Sequence, residues 1–277
     1  KTHLYKVGID FYLNDKNTIS VFTNQNTFDG ETLNNSDFIF NDNMLNNQFQ
    51  TTNLLSENSS AQYNFDYKLD FEKEGHNIEL EIDHNIFDNS IDTDNILNGN
   101  NTRPSFLELT ETDRNRTTVN LDYVNPLSDK AKLEIGLQAR LFENQIKYES
   151  DGRVRNQNGD YIPTLTDFDY ERNIYSAYIS YGKKLDKWTY QLGLRAESVN
   201  VDAIADETDL STNLETVIPF ENDYFQLYPS AFFTYSPSEK NSYQLSYSRR
   251  VDRPGIGQVN PIPEWNTPLI SNFGNQE

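Results

Sequence analysis

Three histidines and a large set of carboxylates are the residues here from which acid–base or metal chemistry could be built; there is no cysteine. Asp83 and His84 are neighbours in the chain. On an extended strand neighbours point to opposite faces, so these two cannot work as an acid–base pair. Calcium takes oxygen ligands at alternate loop positions. An EF-hand-like start at Asp92 and Asp94 would need an oxygen ligand and then a glycine where Ile96 and Leu97 stand. The stretch from Asp202 to Asp223 carries Asp202, Asp206, Glu207, Asp209, Glu215, Glu221 and Asp223 with neither Lys nor Arg. It reads as a solvated loop, with a cation or cationic substrate as the alternative. There is no Gly-x-Ser-x-Gly elbow, no His-Glu-x-x-His, no phosphate-cradling glycine loop and no cysteine pair. No catalytic residue, metal ligand or cofactor is assigned, and an enzyme is unsupported.

The other candidates are charges threaded through apolar sequence. Lys132, Glu134 and Arg140 alternate with Ala131, Leu133, Ile135, Leu137, Ala139 and Leu141. Arg195 and Glu197 interrupt Trp188, Tyr190, Leu192, Leu194 and Ala196 in the same way. Period-two alternation makes a strand with one apolar and one polar face. It recurs about ten times, among others as Tyr63, Phe65, Tyr67, Leu69 and Phe71 against Gln62, Asn64, Asp66, Lys68 and Asp70. A net charge of −20 argues against nucleic acid, which needs clustered Lys and Arg. No window approaches the ~20 consecutive apolar residues of a spanning helix, so a helical membrane protein is excluded.

Connections alternate as the strands do. Tight turns fall at Asn14 to Lys16, Lys73 to His76, Pro126 to Lys130, Gly182 to Lys187 and Ser236 to Asn241, each rich in turn-forming residues. Between them lie long polar segments, roughly Asp29 to Ser60, Asp88 to Asn115, Glu149 to Asp169 and Asp202 to Asp223, which read as loops. Phe11, Phe71, Tyr123, Tyr181, Trp188, Tyr235 and Tyr243 share the apolar parity and sit beside the short turns, as a membrane-interface girdle would. Short turns on one side and long loops on the other are the habit of an antiparallel transmembrane β-barrel in a bacterial outer membrane. A soluble β-sandwich or propeller shares the alternation but gives no reason for every second connection to be long.

The segment from Phe225 to Glu277 carries a resemblance. Leu227-Tyr228-Pro229-Ser230, the turn Ser236-Pro237-Ser238-Glu239-Lys240, and Tyr247-Ser248-Arg249-Arg250-Val251-Asp252-Arg253-Pro254 with Asn260-Pro261 resemble the barrel of TonB-dependent receptors of the Bacteroidetes outer-membrane β-barrel family. The resemblance implies a barrel of about 22 strands with an N-terminal plug, driven by the TonB complex to import a scarce solute. It places Arg249, Arg250, Arg253, Pro254, Asn260 and Pro261 at the extracellular rim in a structural role, and Lys132, Glu134, Arg140, Arg195 and Glu197 in the lumen, facing one another, a plug or a solute.

The ten strands would be one partial barrel domain over residues 1–277, with outer-membrane lipid as a partner. The end at Gly274-Asn275-Gln276-Glu277 reads as a loop, and neither a plug nor a terminal aromatic strand is recognisable. Sequence missing on both sides is the expectation, since unpaired edges in lipid are not tolerated. Two rival functions remain at this stage. One is a barrel that no longer transports and docks a surface lipoprotein or another outer-membrane subunit, as in a secretion complex. The other is a small closed-barrel surface hydrolase.

Overall fold

The computed structural model describes residues 1–39, 47–98, 105–155, 159–261, 264–267, 270–272 and 274. Asn275, Gln276 and Glu277, expected in a loop, lie outside the described residues. Ten strands follow one another: β1 (Thr2–Asn14), β2 (Asn17–Phe38), β3 (Gln48–Asp70), β4 (Asn77–Asn98), β5 (Phe106–Ser128), β6 (Ala131–Arg155), β7 (Tyr161–Lys184), β8 (Trp188–Asp209), β9 (Leu214–Ser238) and β10 (Asn241–Ser248). After them come a single helical turn, α1 (Ile256–Val259), and a small ribbon of β11 (Glu264–Thr267) and β12 (Ile270–Asn272). Every pairing among the ten strands is antiparallel and joins chain neighbours, so they form one open sheet with β1 and β10 as its edges.

The alternation read from the sequence becomes two unlike faces. On β6 Ile135 and Leu137 are 41% and 54% exposed, while Gly136, Asn144, Tyr148 and Ser150 on the other parity are buried. Ile179, Trp188, Leu192 and Leu194 repeat the pattern. The apolar side chains are thus the bare ones, and no second sheet covers them among the described residues. A sandwich would bury that face; this sheet turns it outward.

The outward face changes character at a sharp level. On β6 it runs Leu133, Ile135, Leu137, Ala139, Leu141 and then Glu143, Gln145, Lys147, Glu149. On β7 Tyr175 is followed, away from the short turn, by Asn173, Glu171 and Asp169; on β9 Phe225 is followed by Asp223 and Glu221. Register aligns these breaks: Leu141 pairs with Asn173, and Tyr175 with Ser198, which in turn pairs with Phe225. Each apolar run is the length of the ~9–11 tilted residues that cross a bilayer as a strand.

Beyond the break the sequence reading needs correction. The segments expected as long loops are mostly strand: β2, β4, β6 and β8 carry on for ten or so residues past the apolar band, and β3, β5, β7 and β9 return alongside them. The acidic stretch Asp202 to Asp223 closes in a turn of only Leu210 to Asn213. Asp209 Oδ1 accepts from the Ser211 and Thr212 amides at 2.8 and 3.3 Å, and Asn213 takes a left-handed φ of 55° that Asn tolerates well. With water outside these extensions their outward face no longer has to be apolar, so the apolar-outward alternation that marks the band is lost while the backbone pairing persists.

At the opposite end the short turns carry the aromatic girdle. Trp188 stacks on Tyr235 at 4.3 Å between centroids, Phe71 on His76 at 4.2 Å, and His76 Nε2 lies 3.0 Å from the Tyr123 hydroxyl. The neighbours Asp83 and His84 are split by the strand: His84 bonds Thr117 at 2.8 Å, whereas Asp83 on the other face accepts from Gln62 at 2.7 Å and from Asn85.

Candidate functional site

The inner face carries a polar network at the level where the outward face turns polar. Its hub is Glu197, 4% exposed, on β8. The β7–β8 register sets Ser176 opposite Glu197, and β6–β7 sets Gln138 opposite Ser176. Arg195, two residues away on the same face, donates from Nε to Glu197 Oε1 at 2.6 Å and from Nη2 to Gln138 at 2.5 Å and Ser176 at 2.8 Å. Arg140 reaches the same carboxylate at 3.3 Å. Gln138 passes the chain on to Asn120 at 2.7 Å, and Asn120 to Glu81 at 3.0 Å. Lys132 and Glu134, nearer the short turns, pair with each other at 2.6 Å. Gly136 lies under the Tyr178 ring, where a Cβ would fall 2.3 Å from Cζ, so glycine is what lets that ring lie against the wall and donate to Asp122.

A third guanidinium comes from outside the sheet. Past β10 the chain turns inward. Arg253 donates to Glu197 Oε2 and, from Nε, to the Tyr224 hydroxyl at 2.9 Å. Arg172 Nη1 holds the Pro254 carbonyl at 3.3 Å. Ile256 and Val259 of α1 then rest on an inner-face cluster of Tyr148, Phe168, Tyr170, Ile174, Val199 and Val201. Asn260 is buried beside Val259 and accepts from the Gly274 amide at 2.8 Å; Pro261 is half-buried.

Of the six residues expected at the rim, Arg253, Pro254 and Asn260 are thus placed against the inner wall. Arg249 stays beside β9, donating to the Leu227 carbonyl at 3.1 Å and Gln226 at 2.9 Å, and Arg250 is exposed. Among the described residues no three His, Asp or Glu side chains gather as a metal site.

A family model for the outer membrane protein beta-barrel family matches residues 69–277, three quarters of the sequence. The chain belongs to that family. Its place is the outer membrane, and its ten-stranded sheet is a stretch of barrel wall. Among solved structures it is similar to the ferric yersiniabactin uptake receptor FyuA from Yersinia pestis, at 10% identity, TM-score 0.45, with 86% of this chain and 43% of that one covered. It is also similar to the ferric citrate transporter FecA in its unliganded form, at 9% identity and TM-score 0.31, covering 86% and 42%. The chain therefore spans less than half the length of either. No curated protein matches it.

In a barrel of this family the inner face is the lumen, the short turns are periplasmic and the strand extensions stand on the extracellular side. The Glu197 hub then sits at the outer edge of the membrane band, with the inward segment above it. Sequence reasoning missed Tyr224 and Tyr228 as partners of Arg253, and missed the seat of α1. A signal for the seat was present: Phe168, Tyr170, Ile174, Val199 and Val201 are apolar residues at lumen parity, where a wetted wall has no use for them. On the outward face of the extensions crowding perturbs two carboxyls. Partial burial, reinforced by Asp88, raises Asp113; partial burial with Asp167 and Asp206 raises Asp169.

Proposed function

We propose that this barrel wall belongs to a TonB-dependent receptor of the Bacteroidetes type, which imports a scarce solute through a lumen of about 22 strands. The carrying observation is Arg253: of the three arginines in the stretch that resembles those receptors, this one reaches the inner face and ion-pairs with Glu197, while Arg249 stays beside β9 and Arg250 is exposed. A wall that holds its own connecting segment across the solute path is suited to selecting and gating. Its work is binding and passage, with no bond made or broken. Lys132, Glu134, Arg140, Arg195 and Glu197 line that path, and the TonB complex acts through a plug that occupies the lumen.

Growth on single limiting nutrients tests this. A strain lacking the protein and a strain lacking the TonB complex should fail on at least one nutrient in common. If the protein-deficient strain grows like wild type on every nutrient, while the protein co-purifies with a surface lipoprotein, the docking role replaces transport.

A further inference from the structure

Beside Arg172, which holds the Pro254 carbonyl, the lumenal arginines fall into two groups with unlike surroundings. Arg140, Arg195 and Arg253 share Glu197. Arg114 and Arg116 on β5, one step further toward the extracellular side, form no ion pair or hydrogen bond among the described residues. Arg114 is steadied instead by the Phe87 ring, 4.4 Å from its Cζ to the centroid. Register puts Asn85 and Phe142 on either side of Arg116.

These groups line one concavity of about 380 Å³ together with Gln62 and Asn24. The nearest lumenal carboxylate by register, Asp83, is already engaged by the amides of Gln62 and Asn85. Two guanidinium groups outside any ion pair and two aromatic rings in one recess make a site of small-molecule size. Guanidinium forks match paired carboxylate or phosphate oxygens, and a recess walled by low-dielectric rings strengthens that attraction.

We infer that this recess binds a small anionic solute, one presenting two or more carboxylate or phosphate oxygens to Arg114 and Arg116. The inference deepens the transport reading by naming a solute class. It differs in what it needs, since equilibrium binding to the purified protein requires no TonB complex.

The test uses the full protein purified from its outer membrane. Phenylglyoxal modification is followed at each arginine by peptide mass spectrometry, with succinate or inorganic phosphate as probes and neutral succinamide as control. Either anion should slow modification of Arg114 and Arg116 about tenfold, as a ligand at roughly ten times its Kd requires of a site that reacts only when empty. Exposed Arg250 should react at an unchanged rate, and succinamide should protect nothing. The double variant Arg114→Gln with Arg116→Gln should lose the anion-dependent rise in Tm. Equal reactivity with and without the anions overturns the proposal. So does unreactivity of both arginines before any probe is added, which would mean that a protein segment already fills the recess.

Discussion

Glu197 shows how much one side chain can hold in a wetted wall. Three guanidinium groups meet its carboxylate, two from the sheet and one from the inward segment, and Ser176 adds a hydroxyl at 3.4 Å. Removing one partner of a buried charge set leaves the others uncompensated, typically costing about 3–5 kcal/mol. Glu197→Ala should therefore lower the unfolding free energy of the full protein by about that amount and release Arg253. Protease cleavage near Arg253 reads the second effect, and an uncleaved, equally stable variant would refute the hub. Glu197→Gln keeps the shape without the charge and should fall between. Asp113 runs the other way. Its pKa is raised by burial and by Asp88, so the folded state takes up a proton at a pH where the unfolded carboxyl is still ionised. The resulting penalty is present above the raised pKa and disappears as pH falls through it. Asp113→Asn should raise Tm at neutral pH, and the gain should shrink under mildly acidic conditions; a gain independent of pH would rule out the charge as its cause.

At the scale of the strand, one side chain's depth decides its role. Leu137 and Gln145 share β6 and the outward parity, but Leu137 lies inside the apolar band and Gln145 beyond it. An arginine near the bilayer midplane costs about 2–4 kcal/mol in such barrels and close to nothing outside. Leu137→Arg should lower stability in lipid vesicles by that amount, while Gln145→Arg should leave denaturant midpoints unchanged; equal costs would move the membrane boundary. Strand parity and the band itself were legible in the sequence, because lipid on one side and water on the other force the alternation that marks them. Extensions such as Glu143 to Arg155 were not, since an outward face that meets water in place of lipid is polar like a loop and hides the strand's continuation.

At the scale of the whole molecule the dominant fact is that, among the described residues, β1 pairs only with β2 and β10 only with β9. Edges present unpaired amides and carbonyls, which hydrocarbon cannot satisfy and other chains can. The 277-residue chain produced by itself should associate edge to edge in detergent micelles, with cross-linking trapping oligomers. A monomer that resists heat as a closed barrel does would show that these edges find each other.

What the sequence determined by itself is local: which side of each strand faces lipid, where the short turns and their aromatic rings fall, and which charges point inward. Each follows from a two-residue period that neighbours along the chain impose on one another. What only the tertiary structure decided joins distant residues. Arg253 finds Glu197 across 56 positions, and α1 settles on rings from β6 and β7. Such contacts depend on the register of successive hairpins and on where a chain leaving the sheet can bury its apolar side chains. No window of sequence short enough to read by periodicity contains both partners.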